Sequence, residues 1–245
     1  MSTALPPKAH VHPTTSTHYG RERRDDYAWL RADNWQEVMR NPDVLAAPIR
    51  DYLQAENDYT DEILAGTGAL RQQLSDEMRS RIVPDESTAP YPEAGYFYYC
   101  RYRPGQDYPL CCRKKRSQGA PEELLVDVNA LAKGHDYYNF SGLTVSPDQS
   151  CGVFGADTRG NGRFTLHFID LATGECMEQC VEDVTDDVEW AADNQTILYA
   201  RQHPETHRDY QVLSFNLSGG TSRLIYQEDD ESCWLSVEKS LSGRH

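Results

Sequence analysis

The fold is decided by a pattern that occurs twice in the chain. The first copy opens with LTVSPDQSCGVFG at Leu143–Gly155, and the second opens with VEWAADNQTILYA at Val188–Ala200. Each copy then continues into a further apolar run, FTLHFIDLATG at Phe164–Gly174 and YQVLSFNLSGG at Tyr210–Gly220. Runs rich in β-branched and aromatic residues, separated by turn formers, are typical of short antiparallel strands.

The spacing of the two copies indicates the architecture. Asp148 corresponds to Asp193, 45 residues further on, and Asp170 corresponds to Asn216, 46 residues further on. A repeat of this length, built of short strands, predicts the blades of a β-propeller. A further copy begins at Trp234–Gly243, and since a propeller closes with about four to eight blades, we interpret the chain as part of a longer protein.

Each copy has a face that it cannot bury by itself. In the strand predicted at Phe164–Asp170, alternate side chains point to opposite faces of the sheet. One face carries Phe164, Leu166 and Phe168, and the other carries Thr165, His167 and Ile169. A small sheet of this kind needs a neighbouring copy on either side.

Composition limits the functional class. The 245 residues are 38% hydrophobic and 26% charged, with a formal net charge of -15, which is ordinary for a globular protein. So acidic a chain is a poor partner for nucleic acid, because phosphate binding depends on clustered Lys and Arg. The one basic run, Arg113–Arg116, is interpreted as a solvated hairpin tip. An acidic surface can also concentrate cationic ligands.

Other features of the sequence indicate the compartment. No apolar run is long enough for a membrane span, and Met1–Lys8 lacks the core of a signal peptide. We therefore expect a cytoplasmic protein without a membrane partner. The seven cysteines are scattered, which predicts reduced, mostly buried thiols rather than a disulfide framework.

The order of the chain predicts two segments. Residues 1–24 show no periodicity and are expected to form an extended arm, whereas helical spacing is expected from Trp35 to Met39. Pro48 suits a helix start, and Gly66 and Gly68 are expected to end that helix before a second one. The apolar stripe of these two helices consists of Ile49, Tyr52, Leu53, Tyr59, Ile63, Leu64, Leu70, Leu74, Met78 and Ile82.

After a stretch rich in Pro and Gly, the apolar period changes from helical to alternating. The predicted domains are therefore residues 1–83, an arm and helices, and residues 84–245, a partial β-propeller. A first, less regular blade is predicted from strands at Tyr96–Arg103, Tyr108–Arg113 and Glu123–Asp127. No helix longer than two turns is expected between Tyr96 and Ser236.

The chemistry of catalytic sites is missing from the sequence. It contains no G-x-S-x-G motif, no phosphate-binding loop and no CxxC pair. Ser141-Gly142 and Ser218-Gly-Gly220 are interpreted as hairpin turns. His203 and His207 flank a glutamate, but Pro204 and the neighbouring strands predict a loop rather than the helix that a zincin needs. We assign no catalytic, cofactor-binding or metal-binding residue, and no cofactor.

Taken together, several segments resemble oligopeptidase B, in the prolyl oligopeptidase family of serine peptidases. The resemblance covers nearly the whole chain. It rests on the Pro6-Pro7 start with the His-rich arm, and on Asp25–Arg31, Glu56–Thr60, Tyr98-Tyr99, Tyr108–Arg113, Tyr137–Phe140 and Leu143–Asp148.

The resemblance implies a seven-bladed propeller that caps an α/β-hydrolase domain. In the family, the arm and helices belong to the hydrolase domain, and the propeller filters substrates by size. The triad and the acidic residues that hold a basic side chain lie in the C-terminal region, so none can be assigned here. The implied partners are short peptides cleaved after Arg or Lys and the missing hydrolase domain.

Two functions follow as alternatives. The chain is either the arm, helices and first two to three blades of such a peptidase, inactive alone, or a catalytically dead propeller fragment that binds another protein through its open β-sheet edges. A downstream reading frame with a G-x-S-x-G motif would favour the first alternative. An intact native mass near 27.9 kDa would favour the second.

Overall fold

The computed structural model describes residues 4–240, and they divide into two compact units that meet between Ile82 and Val83. The first unit carries the longer helices, and the second is built of antiparallel sheets. The predicted fold class, mainly β after an N-terminal helical segment, is confirmed. The assignment of the first segment to a hydrolase domain stays a prediction.

The N-terminal arm is more ordered than its sequence indicates. β1 (Thr14–His18) and β2 (Arg21–Asp25) pair as an antiparallel hairpin. Tyr19 and Gly20 form its turn, with φ of 51° and 73°, the backbone that a tight two-residue hairpin turn requires. The predicted extended arm includes a hairpin that sequence reasoning did not identify, because every residue of both strands is exposed and no apolar period marks them.

Three α-helices follow in the first unit: α1 (Trp35–Arg40), α2 (Ala47–Leu64) and α3 (Gly68–Ser80). Pro48 lies in the first turn of α2, as predicted. The predicted break between two helices is confirmed, because α2 ends at Leu64. Residues Ala65–Thr67 form a 3-10 turn, and Gly68 begins α3.

The apolar stripe of α2 and α3 is only partly covered. Ile49 is 7% exposed, and the Trp29 indole meets the Tyr52 ring edge-on at 6.3 Å. Most other members of the stripe are exposed, among them Leu53, Ile63, Leu64, Leu70, Leu74, Met78 and Ile82. No described helix has both the length and the hydropathy needed to cross a membrane.

The second unit contains three four-stranded antiparallel sheets within residues 83–240, which we call blades 1, 2 and 3. Blade 1 contains β3 (Tyr91–Glu93), β4 (Tyr96–Arg101), β5 (Leu110–Lys115) and β6 (Glu122–Asp127). Blade 2 contains β7 (Asn139–Val145), β8 (Cys151–Asp157), β9 (Phe164–Asp170) and β10 (Cys176–Val184). Blade 3 contains β11 (Val188–Trp190), β12 (Thr196–Gln202), β13 (Asp209–Asn216) and β14 (Thr221–Gln227).

The strands of each blade follow one another in the sheet in chain order, as a meander does. The single helical element of the second unit within the described residues is α4 (Val128–Leu131), one turn that links blades 1 and 2. The prediction that no long helix follows Tyr96 therefore holds for the described residues.

The sequence repeat corresponds to equivalent turns in blades 2 and 3. Asp148 Oδ1 accepts hydrogen bonds from the Ser150 backbone N–H and from the Ser146 hydroxyl. Asp193, its counterpart, accepts them from the backbone N–H groups of Gln195 and Thr196. These side-chain bonds to the backbone close the turns that precede β8 and β12, so the repeated aspartates explain the shared period.

The core lies between the blades. One cluster of buried side chains joins blades 2 and 3, and includes Val153, Leu166, Phe168, Trp190, Ile197, Tyr199 and Phe215. A second cluster joins blades 1 and 2, and includes Tyr98, Cys111, Val126, Val128, Phe154 and Ile169. Leu166 and Phe168 thus face blade 3 while Ile169 faces blade 1, as the alternation predicts.

The chain after β14 does not form the strand that the third copy predicts. Residues 228–240 carry no strand, and the Leu235 backbone N–H donates to the Asp209 carbonyl at 3.1 Å. The prediction that a further copy of the strand pattern begins at Trp234 was therefore wrong for the residues up to Ser240. The part of the third copy beyond Ser240 lies outside the described residues.

Candidate functional site

The residues that were considered as catalytic or metal-binding candidates from the sequence lie in turns, loops and strands. His203 and His207 are in the loop between β12 and β13, and His203 Nδ1 accepts from the Glu205 backbone N–H at 3.2 Å. Within residues 4–240, no group of three or more His, Cys, Asp or Glu side chains is arranged to hold a metal ion. Ser218-Gly-Gly220 closes the hairpin of β13 and β14, as predicted.

Ser141 and Gly142 are not in a turn, contrary to the prediction. They lie inside β7 where its register with β8 shifts, a β-bulge. Gly142 has φ of 106°, a backbone conformation that side chains with a Cβ rarely adopt. The Ser141 Oγ accepts a hydrogen bond from the Gly155 N–H at 2.8 Å, so this hydroxyl has a structural role in blade 2.

The second unit has a cleft of about 340 Å³ between blades 1 and 2, which we call the junction cleft. Strands β4 and β5 and the segment before β4 line it from blade 1, and β7 lines it from blade 2. Its walls include Thr88, Tyr91, Cys100, Cys111, Phe140 and Leu143. Apolar and aromatic walls with a few polar groups are typical of small-molecule clefts.

Tyrosine rings form one wall of the junction cleft. The Tyr91 and Tyr98 rings stack with their centroids 5.7 Å apart. Burial raises the pKa of both phenols, so they stay neutral near pH 7. The Tyr98 hydroxyl donates to Gln149 Oε1, which ties β4 of blade 1 to the turn after β7 of blade 2.

Two thiols face each other in the same cleft. Cys100 on β4 is paired with Cys111 on β5, and their Sγ atoms are 3.8 Å apart. The hydrogen bond from the Cys111 thiol lowers the pKa of Cys100, although burial opposes this. The same hydrogen bond, followed by burial, raises the pKa of Cys111. Cys111 is the more deeply buried of the two thiols, and burial disfavours its thiolate.

Arg113 joins blades 1 and 2 at the edge of the cleft. Its Nε donates to Glu123 Oε2 at 2.7 Å, and its Nη1 donates to the Gln149 carbonyl at 3.1 Å. The guanidinium lies 4.2 Å from the centroid of the Tyr96 ring. Arg113 is only 6% exposed, so the prediction of a solvated hairpin tip was wrong for its first residue.

Direct bonds also join blades 2 and 3. The Trp190 indole N–H donates to the Thr144 carbonyl at 3.0 Å, and the Asp148 backbone N–H donates to Asn194 Oδ1 at 2.9 Å. The Phe168 ring meets Trp190 edge-on at 6.1 Å. These contacts fix one blade against the next.

Acidic side chains lie at one end of blade 3. Burial raises the pKa of Asp187, and the neighbouring charge of Asp186 adds to the effect. Burial raises the pKa of Asp209 as well, with Asp187 contributing. The chain thus carries part of its negative charge in a partly desolvated region, where charges act more strongly than in water.

Sequence reasoning did not identify the thiol pair or the role of Arg113. A signal for the pair was present, because a hairpin folded symmetrically about Gly105 and Gln106 places Cys100 opposite Cys111. The expectation of mostly buried thiols was correct for Cys111, Cys112 and Cys151 only. Cys176, Cys180 and Cys233 are exposed, since the first two lie on the outer strand β10 and the third follows β14.

The comparisons with known proteins agree with this architecture. Residues 6–245 match the family model described as prolyl oligopeptidase, N-terminal beta-propeller domain. The chain is 34% identical to dipeptidyl aminopeptidase BI of Pseudoxanthomonas mexicana, over 99% of this chain and 35% of that protein. The chain spans about a third of the length of the curated relatives it matches.

Two solved structures share the fold. Oligopeptidase B from Trypanosoma brucei, in a closed form with covalently bound antipain, is 22% identical with a TM-score of 0.77, over 98% of this chain and 35% of that chain. Oligopeptidase B from Leishmania major is 24% identical with a TM-score of 0.74, over 93% of this chain and 33% of that chain. The chain therefore belongs to the prolyl oligopeptidase family, of which it is the N-terminal β-propeller portion.

Proposed function

We propose that this chain is the N-terminal and propeller portion of an oligopeptidase B-like serine peptidase that cleaves short peptides after Arg or Lys. The observation that carries the proposal is the match of residues 6–245 to the family's propeller domain, together with three consecutive blades of that kind. The net charge of -15 supports basic peptides as substrates, since an acidic surface raises the local concentration of cations.

In this proposal the propeller limits substrates by size. The blades are joined by buried side chains and by direct bonds such as Trp190 to Thr144, so they resist separation. A closed ring of such blades would exclude folded proteins and long chains and would admit short peptides. Residues 1–83 would belong with the hydrolase domain, and residues 84–245 with the propeller.

The chain alone is proposed to be inactive, because it has no nucleophile elbow to place a serine beside oxyanion-hole amides. An Arg-containing reporter peptide incubated with the purified chain should stay intact, and a serine-directed phosphonate should not label it. Stoichiometric labelling of any one serine, read by intact mass, would contradict this. The cytoplasmic location also stays part of the proposal.

A second specificity is favoured by the relative from Pseudoxanthomonas mexicana, which is named a dipeptidyl aminopeptidase. The enzyme could then release dipeptides from a free N-terminus instead of cutting within a peptide. Reporters with free and blocked N-termini separate the two alternatives in the longer enzyme. A third role, as a protein-binding module, is supported by the exposed apolar residues Leu224, Ile225 and Tyr226 on β14.

The size filter can be tested with a hybrid in which residues 6–245 replace the matching third of the Pseudoxanthomonas mexicana relative. We expect the hybrid to hydrolyse a short peptide while leaving a long unfolded protein intact, as a closed propeller requires. Equal cleavage of both substrates by a folded hybrid would contradict the size filter. A second hybrid carries Trp190→Phe, which removes a bond between blades 2 and 3. This hybrid should cleave the long substrate faster than the unsubstituted hybrid does.

A further inference from the structure

The backbone around Cys100 places its side chain unusually close to that of Cys111. The Cys100 N–H donates to Thr88 Oγ1 at 2.9 Å, and the Thr88 N–H donates to the Cys100 carbonyl at 2.8 Å. Both backbone groups of Cys100 are thus directed toward the segment before β3 and away from β5. Cys100 and Cys111 are consequently a non-hydrogen-bonded pair of β4 and β5.

This register fits the geometry of a disulfide. Opposite residues in non-hydrogen-bonded pairs have Cα atoms about 4.5 Å apart, which lies within the range of about 4.4–6.8 Å that disulfides span. The Sγ atoms are 3.8 Å apart and must approach to about 2.05 Å. Side-chain rotation alone can close this gap, so the two strands need not move.

Of the cysteines near Cys100, only Cys111 lies opposite it in the neighbouring strand. Cys112 follows Cys111 directly, but its side chain packs with Tyr99 and Leu110 on the opposite face of blade 1. Cys151 belongs to the cluster between blades 2 and 3. Cys100 and Cys111 are therefore the two cysteines that the strand register brings together. Both line the junction cleft, and Cys111 also belongs to the buried cluster between blades 1 and 2.

Access and reactivity differ within the pair. Cys100 is partly exposed at the wall of the junction cleft, whereas Cys111 is 5% exposed. The pKa of the Cys100 thiol is lowered by the hydrogen bond from Cys111, and the thiolate is the form that attacks a disulfide. Cys100 is thus the attacking thiol, and Cys111 is the thiol that resolves the mixed disulfide.

We propose that Cys100 and Cys111 are a reversible oxidation site that closes to a cross-strand disulfide on reaction with a small-molecule disulfide such as oxidised glutathione. Cys100 Sγ attacks one sulfur of the small molecule, its S–S bond breaks, and one small thiolate leaves. Cys111 loses its proton to this thiolate and attacks Cys100 Sγ, which releases the second small thiolate. This thiolate takes up from water the proton that Cys100 gave up before its attack. Two cysteine thiols are oxidised and one small disulfide is reduced to two thiols.

The test is a thiol exchange experiment on the 245-residue chain with the exposed Cys176, Cys180 and Cys233 replaced by serine. The protein is equilibrated in glutathione buffers of rising oxidised fraction, trapped with an alkylating agent and digested with trypsin. We expect a mass loss of two hydrogen atoms and a cross-link between the peptides of residues 82–101 and 102–113. A reducing agent should restore both peptides.

Single substitutions show which cysteines form the disulfide. Cys112→Ser should form the same cross-link, because Cys112 is paired with Tyr99 and not with Cys100. Cys111→Ser should instead stop at a mixed disulfide on Cys100, seen as one added glutathione. Circular dichroism of each variant shows that the sheets are retained. The proposal is overturned if the parent protein forms no cross-link across the buffer range, or if Cys112→Ser abolishes it in a folded protein.

Discussion

At the residue scale, Arg113 connects β5 of blade 1 to the turn that precedes β8. Its guanidinium contacts Glu123, the Gln149 carbonyl and the Tyr96 ring. A buried cation is stable only when its donors are paired, and Arg113 meets this condition with partners from two blades. Sequence reasoning placed the residue in a basic surface run because charge alone does not reveal which of four neighbours points inward.

Replacing Arg113 by methionine keeps the aliphatic stem and removes the charged donors. We expect the free energy of unfolding to fall by about 2 kcal/mol, because the Gln149 carbonyl loses its hydrogen bond and charge-assisted bonds contribute about 1.5–3 kcal/mol. Urea unfolding measures the change. Arg103→Met, at an exposed position of the turn after β4, is the control, and equal losses in both variants would contradict the prediction.

Glu122 gives the stability of blade 1 a dependence on pH. The hydrogen bonds from Arg101 lower the pKa of Glu122 to about 2, and the Tyr99 hydroxyl, which donates at 2.5 Å, contributes as well. A carboxyl whose pKa is depressed in the folded state stabilises that state above its unfolded pKa, near 4.5. This contribution is lost as the pH falls from about 4.5 toward 2.

The Glu122 side chain is 31% exposed, so solvent screening reduces its contribution to about 1 kcal/mol. We expect Glu122→Gln to remove this amount at pH 7 and to flatten the loss of stability between pH 5 and pH 2, measured by urea unfolding at successive pH values. Glu178→Gln, on the exposed part of β10, should leave the profile unchanged. The prediction would be contradicted if Glu122→Gln and the unsubstituted chain showed the same dependence of the free energy of unfolding on pH.

At the scale of elements, the strands of blades 2 and 3 could be predicted because their residues alternate and their turns repeat. Asp148 and Asp193 hold equivalent turns, so the period in the sequence reflects a period in hydrogen bonding. The elements that could not be predicted have no such pattern. β3 is three exposed residues, and the hairpin of β1 and β2 has no buried face.

The candidate site was less predictable than the fold. The junction cleft arises from side chains on two blades that are up to 55 residues apart in the sequence, such as Thr88 and Leu143. Sequence periodicity gives the face of each strand but not the width of the gap between sheets. The bulge at Ser141 and Gly142 was missed for a related reason, since a glycine within an alternating run predicts a turn and a bulge equally well.

Trp190 tests how strongly two blades are joined. Trp190→Phe keeps an aromatic ring against Phe168 but removes the N–H that donates to the Thr144 carbonyl. Because that carbonyl then loses its partner in a partly buried position, we expect a loss of about 1–2 kcal/mol in the free energy of unfolding. Trp234→Phe, whose ring is 67% exposed, is the control. A similar small change in both variants would contradict the role given to this bond.

At the scale of the whole molecule, two apolar surfaces are exposed. One is the stripe on α2 and α3, where Leu70, Leu74 and Met78 are each at least 46% exposed. The other is on β14, an edge strand of blade 3 on which Leu224 and Tyr226 are about half exposed. An edge strand with apolar side chains and unpaired backbone groups recruits other chains.

We expect the purified chain to associate with itself as its concentration rises and to bind a dye specific for exposed apolar surface. The net charge of -15 opposes association through repulsion, so added salt should strengthen association by screening. Light scattering coupled to size-exclusion chromatography measures the mass. A sharp monomer peak at every salt concentration, with a cooperative melt and no dye signal, would contradict this prediction.

Two sets of substitutions then separate the surfaces. Leu70→Gln with Leu74→Gln and Met78→Gln changes only the helical stripe, and Leu224→Gln with Tyr226→Gln changes only β14. If the helical set restores the monomer, association uses the stripe, the surface that we propose packs on a hydrolase domain. If the β14 set restores it, association extends the sheet of blade 3, because an edge strand recruits another chain most readily when its exposed side chains are apolar. The second outcome would favour the protein-binding alternative, since that role requires an accessible strand.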